Sequence, residues 1–121
     1  MHKTIMIVED EQPFHDLYKA MLEYTDYRII SVYDGDEALS RLQKEKPDLI
    51  ILDLLLDMMP GDTLFLYLKN TPEYTDIPVI IVSSFPKRDY KNLRDIDPCL
   101  IFLNKTATKE ELIGEIKTKI G

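Results

Sequence analysis

The sequence predicts an α/β domain built on one parallel sheet. Short apolar runs alternate with amphipathic segments along all 121 residues, in the order βαβαβαβαβα. Such alternation puts helices on both faces of a parallel sheet. The strand candidates are unbroken apolar runs, the pattern of strands buried on two sides. The 45% hydrophobic content suffices for a two-sided core in a single domain spanning 1–121.

Ile5-Met6-Ile7-Val8 is the first strand. Phe14, Leu17, Tyr18, Met21 and Leu22 then recur at i, i+3, i+4, i+7 and i+8, one face of a helix, with Pro13 suited to its first position. Arg28 to Val32 reads as a short second strand. Asp34 caps the next helix, with Glu37 three residues on as in a capping box, and Ala38, Leu39 and Leu42 face the core. Lys46-Pro47 stops that helix, and Leu49-Ile50-Ile51-Leu52 forms the third strand. Asp62 is expected to cap the following helix, with Leu64, Tyr67 and Leu68 inward. Val79 to Val82 is the fourth strand. The charged segment from Pro86 to Ile96 is read as a helix anchored by Tyr90, Leu93 and Ile96. Leu100 to Leu103 is the fifth strand. Thr108 and Glu111 make a second capping box before a stripe of Leu112, Ile116 and Ile120.

Fifteen basic against 22 acidic residues give a net charge of −7. That balance disfavours nonspecific nucleic-acid binding, which needs a basic footprint. No apolar stretch approaches the roughly 18 residues that span a membrane, so no membrane partner is expected. The single Cys99 excludes an internal disulfide and suits a reducing cytosol, hence an expected cytoplasmic location. Cys99 itself reads as a small buried hydrophobe. His2 and His15 lack partners at zinc-ligand spacing and read as surface residues.

The strand ends carry the chemistry. Glu9 and Asp10 follow the first strand, Asp53 the third, Ser83 the fourth, and Asn104-Lys105 the fifth. In a parallel sheet these positions share the carboxyl edge, where open α/β sheets bind ligands. Grouped carboxylates repel unless a cation or lysine neutralises them. Magnesium takes oxygen ligands, commonly one or two carboxylates, waters and a phosphate oxygen. Asp10 and Asp53 suit direct ligation, and Glu9 ligation through water. Asp53 is either a metal ligand alone or also a nucleophile, since carboxylates can form aspartyl phosphates. Phosphoryl transfer then requires charge neutralisation, for which Lys105 and the Ser83 hydroxyl are the available groups.

Four segments, in order, resemble the receiver domain of two-component response regulators over nearly the whole chain. Val8-Glu9-Asp10-Glu11 resembles its acidic motif. Pro47 to Leu54 resembles its phospho-acceptor strand, with Gly61 eight residues beyond Asp53. Pro78 to Ser84 resembles the strand ending in Thr or Ser, and Phe102-Leu103-Asn104-Lys105 the aromatic switch residue and lysine.

The resemblance implies a three-layer (βα)5, flavodoxin-like, doubly wound sheet in the order 2-1-3-4-5. It implies that Asp53 accepts a phosphoryl group from the phosphohistidine of a sensor histidine kinase or a histidine phosphotransfer protein. Asp10, Asp53 and the Leu55 backbone carbonyl would ligate Mg2+, assisted by Glu9. Lys105 would pair with Asp53 and the phosphoryl oxygens, Ser83 would hydrogen-bond them, and Phe102 would change rotamer. The output would be a downstream protein target or output domain, with a phosphorylation-dependent homodimer as a further expectation. Such a domain catalyses its own phosphorylation and slow autodephosphorylation and turns over no external substrate.

The chain departs from the family pattern at three places. Asp57 and Thr106 stand where prolines are usual, and Pro98-Cys99 replaces a glycine-alanine pair. A cis bond before Thr106 would cost about 3 kcal/mol, so a trans bond is expected. Leu55 and Phe85 are expected to border the path of attacking water and slow hydrolysis. Lys87, Arg88, Lys91 and Arg94 form a basic cluster suited to an acidic partner. Three rival readings are a flavin carrier, a hydrolase of the haloacid-dehalogenase type and a non-catalytic interaction module. An acidic first loop counts against the first, Leu55 in place of a second Asp against the second, and the retained Asp10, Asp53, Ser83 and Lys105 against the third.

Overall fold

Parallel neighbours need long crossovers, and a helix occupies each one in this chain. A computed structural model describes residues 2–56, 59–84 and 91–121, with Lys91 described by its backbone alone. The elements are β1 (Thr4–Val8), α1 (Gln12–Met21), β2 (Arg28–Val32), α2 (Gly35–Lys44), β3 (Leu49–Asp53), α3 (Gly61–Asn70), β4 (Val79–Ser83), α4 (Lys91–Ile96), β5 (Ile101–Asn104) and α5 (Lys109–Ile120). The five strands are all parallel, in the order β2-β1-β3-β4-β5. The inner strands β1, β3 and β4 are buried throughout, and the edge strands β2 and β5 only in part. The fold class expected from the apolar runs is the one formed.

Strand alternation divides the core in two. Met6, Val8, Ile50, Leu52, Val79, Ile81 and Phe102 pack against α2, α3 and α4. Ile5, Ile7, Leu49, Ile51, Ile80 and Val82 pack against Tyr18 and Leu22 of α1 and Leu112 and Ile116 of α5. Continuing the second series along β1 and β3 brings Glu9 and Asp53 to the α1–α5 side. Ile7 pairs with Ile51 in the register, so the two carboxylates are neighbours across the sheet.

Both expected capping contacts at α2 and α5 form. Asp34 Oδ1 accepts from the Glu37 amide at 2.7 Å, and the Glu37 carboxylate reaches back to the Tyr33 amide at 2.6 Å. At α5 the Thr108 and Glu111 side chains and amides satisfy one another. The α3 expectation is corrected. Gly61 opens that helix after Pro60, and Asp62 accepts only from the adjacent Thr63 amide, so it caps nothing. The inner residue is Phe65, fully buried, while Tyr67 is 43% exposed. Phe65 and Tyr67 stand at equal angles to the Leu64–Leu68 line, and the buried Gly61 against the end of β3 turns the inner face toward Phe65.

In α1 Pro13 is the second residue rather than the first, and Leu17 faces outward. Its buried line is His15, Tyr18 and Leu22, with Phe14 and Met21 half-buried. Cys99 is exposed, contrary to expectation. It lies in a turn closed by its amide on Asp97 Oδ1, and the following Leu100 takes the buried place. Of the charged segment, α4 begins at Lys91, Leu93 is buried and Ile96 is largely exposed. Tyr90, Lys87 and Arg88 lie outside the described residues, as do Phe85 and Asp57.

Candidate functional site

Four strand ends converge as their register requires. Asp53 ends β3 opposite Val82, and Ser83 ends β4 opposite Asn104, one residue before Lys105. The Lys105 amide donates to the Ser83 carbonyl at 3.2 Å, which carries the strand pairing one residue into the loop. Asn104 Oδ1 accepts from both the amide and hydroxyl of Thr106, at 2.9 and 2.8 Å. The turn after Lys105 is thus held by a side chain where the family pattern has proline. All described peptide bonds are trans, as expected for Thr106.

Lys105 is the centre of the cluster. Its Nζ lies 2.9 Å from Asp53 Oδ2, 2.9 Å from Glu9 Oε1 and 3.7 Å from Glu11 Oε2. The remaining side of the ammonium faces the Phe14 ring, 4.1 Å from its centroid. Asp53 Oδ1 accepts from the Leu55 amide at 3.0 Å, and Glu9 Oε2 from the Glu11 amide at 3.1 Å. Glu9 and Asp53 are fully buried, and Ser83 and Lys105 nearly so.

Burial pushes the Glu9 carboxyl up to about 7, against the pull of Lys105 and with the help of the Asp53 charge. Burial works against the Lys105 charge, but Asp53 and Glu9 outweigh it and its pKa rises. Tyr18, beneath the site, has its hydroxyl pushed up by burial and then by the same two carboxylates.

Glu9, Asp10 and Asp53 each offer a carboxylate oxygen, and the three lie within 4.8 Å of one another. An all-oxygen set carrying formal negative charge, with Asp10 only half-buried at its rim, fits a hard divalent cation. The requirement for Gly61 is local. A Cβ there would stand 2.5 Å from Leu54 Cα and closer still to the Asp53 carbonyl oxygen. Only glycine lets α3 start against the end of β3, where the Gly61 amide donates to the Leu54 carbonyl at 3.0 Å.

The family model of the response regulator receiver domain matches residues 5–117. The chain belongs to that family. This receiver domain is 33% identical over 122 residues to the polar-differentiation response regulator DivK of Brucella anthropi, covering all of this chain and 98% of that one. Among solved structures, it resembles the receiver domain of a signal transduction histidine kinase from Syntrophus aciditrophicus. That match has 32% identity and a TM-score of 0.85, covering 98% of this chain and 89% of the other. It also resembles the N-terminal domain of a response regulator receiver protein from Methanoculleus marisnigri, at 28% identity and a TM-score of 0.73, covering 98% and 96%. No described helix of the receiver domain is long and apolar enough to cross a membrane.

The residues singled out from the sequence divide in two. Glu9, Asp10, Asp53 and Lys105 meet in one crevice. Ser83 closes the neighbouring strand, and Leu55 stands at the rim, 53% exposed. Phe102 is set apart in the other core, under the Arg94 guanidinium at 5.4 Å.

His15 is not at the surface, contrary to expectation. It is fully buried, its Nε2 donates to the Glu9 carbonyl oxygen at 2.6 Å, and its ring packs on Tyr33 at 4.2 Å. His2 is exposed, as expected. The sequence does hold a signal for His15: it stands three residues before Tyr18 and seven before Leu22, on their helical line.

Proposed function

We propose that residues 1–121 form a single receiver unit in which Asp53 is the phospho-acceptor of a phosphorylation-controlled signalling switch. The observation that carries this reading is the Lys105 ammonium 2.9 Å from Asp53 Oδ2 beside the Glu9 and Asp10 carboxylates. An Asp53 carboxylate oxygen attacks the phosphorus of a phosphohistidine on a sensor histidine kinase or histidine phosphotransfer protein. The P–N bond breaks, its electron pair stays on the imidazole, and an aspartyl phosphate forms. Lys105 neutralises charge that spreads over the phosphoryl oxygens, and Ser83 donates a hydrogen bond to one of them. Asp10, Asp53 and the Leu55 carbonyl hold Mg2+, with Glu9 assisting. Bound there, Mg2+ supplies positive charge to the phosphoryl oxygens.

Slow hydrolysis returns Asp53 to a carboxylate and releases inorganic phosphate, with no external substrate turned over. The bulk of Leu55, at the rim of the site, slows the approach of water. Phe102 changes rotamer as Ser83 moves, so the surface read by a downstream target or output domain, or by a second copy, changes with the added charge. The lone cysteine and the lack of a long apolar helix among the described residues support a cytoplasmic setting.

The test is intact-mass analysis after incubation with acetyl phosphate, with and without magnesium, on the parent and Asp53→Asn. The parent gains one phosphate only with magnesium, and the variant gains none. A parent that never gains phosphate, or a variant labelled as fast as the parent, overturns the reading.

A further inference from the structure

The Phe14–Lys105 contact has no place in the phosphoryl-acceptor scheme, and its geometry suggests one. Lys105 draws on two carboxylates, Glu9 and Asp53, that also make up the candidate cation cluster. The same two carboxylates therefore serve two positive charges that repel each other. Glu11, the third carboxylate, lies farther away at 3.7 Å and is mostly exposed, so solvent screens it. The Phe14 ring is different. Its π-face attracts a cation electrostatically, and it contributes no ligand for which a metal competes.

The ring is also firmly held. Phe14 follows Pro13 in the first turn of α1, is half-buried against the α1–α5 core, and has its ring 6.3 Å from that of Tyr18. Lysine, by contrast, is a long flexible chain with several rotamers to lose.

We propose that Phe14 is a positioning residue for Lys105, holding the ammonium at Asp53 when the carboxylates are shared with a divalent cation. The inference rests on the phosphoryl-acceptor reading and adds a residue that no strand end supplies. Leucine at position 14 keeps apolar packing but removes the π-face, and tyrosine keeps both.

The test uses the full chain, with Phe14→Leu and Phe14→Tyr, and two readouts. The first is the NMR shift of the Lys105 side-chain protons, which a ring 4.1 Å from Nζ displaces upfield. The displacement should appear in the parent, persist when magnesium is added, survive in Phe14→Tyr and vanish in Phe14→Leu. The second is the initial rate of acetyl-phosphate labelling at saturating magnesium. It should fall about fivefold in Phe14→Leu and stay near the parent rate in Phe14→Tyr, the scale of a partly desolvated cation–π contact.

Loss of the parent's displacement on adding magnesium overturns the proposal without any variant. So does a Phe14→Leu protein that labels at the parent rate, or a Phe14→Tyr protein that falls as far as Phe14→Leu. A parent that never labels removes the phosphoryl-acceptor reading instead, while the shift still judges the contact itself.

Discussion

Replacing Glu9 by Gln should make the metal-free protein more stable above neutrality and change it far less in mild acid. Glu9 is fully buried, and its carboxyl is raised from 4.5 to about 7, first by burial. Between those two values the folded protein holds a proton that the unfolded chain has released. Stability contributed by this group is therefore fully present below 4.5, falls as pH rises through the window, and levels off above about 7.

One proton corresponds to about 1.4 kcal/mol per pH unit, so the loss across the window has a ceiling of about 3 kcal/mol. Glutamine mimics the protonated carboxyl in shape and removes the titration. Lys105 keeps Asp53 as its partner at 2.9 Å. Urea unfolding in chelator at pH 5, 6, 7 and 8 should show a stability difference below about 1 kcal/mol at pH 5. By pH 8 it should grow to about 2–3 kcal/mol in favour of Glu9→Gln. Titrating groups that do not interact with Glu9 cancel in the difference. A difference that stays flat with pH would refute the claim that burial dominates this carboxylate.

Two further outcomes follow from packing. Gly61→Ala forces a Cβ against the Asp53 carbonyl and Leu54 Cα, so denaturant unfolding should show a loss of about 2 kcal/mol. Phe65→Ala should cost about 3–5 kcal/mol from the core, whereas Tyr67→Ala, on an exposed residue of the same helix, should cost less than about 1 kcal/mol in the same assay.

The order of strands and the acidic crevice were legible because both depend on position along the chain. An apolar run of four ending in a carboxylate says where the carboxylate will be once the strands are parallel, and Asp53 is found there. Helix faces were less legible, because two adjacent apolar residues compete for one inward direction. Leu17 beside Tyr18 was left outside in this way, and Phe65 was buried in place of Tyr67 on the opposite flank of the Leu64–Leu68 line. His15 was missed for a different reason. Its spacing to Tyr18 and Leu22 marks the inner face, but the Glu9 backbone carbonyl that satisfies its polar ring is not visible in a side-chain pattern. Asp62 has the residue type of a cap but sits inside a helix that starts one residue earlier at Gly61, and that start is set by the close approach to β3.

Because Lys105 sits among the acidic groups, the crevice carries its own resident counter-ion. Its repulsion is partly relieved from within the chain, in contrast to small domains that collapse only around a metal. Assembly and cation uptake thereby become separate events. A cation entering or leaving this site would do so without dismantling the protein around it.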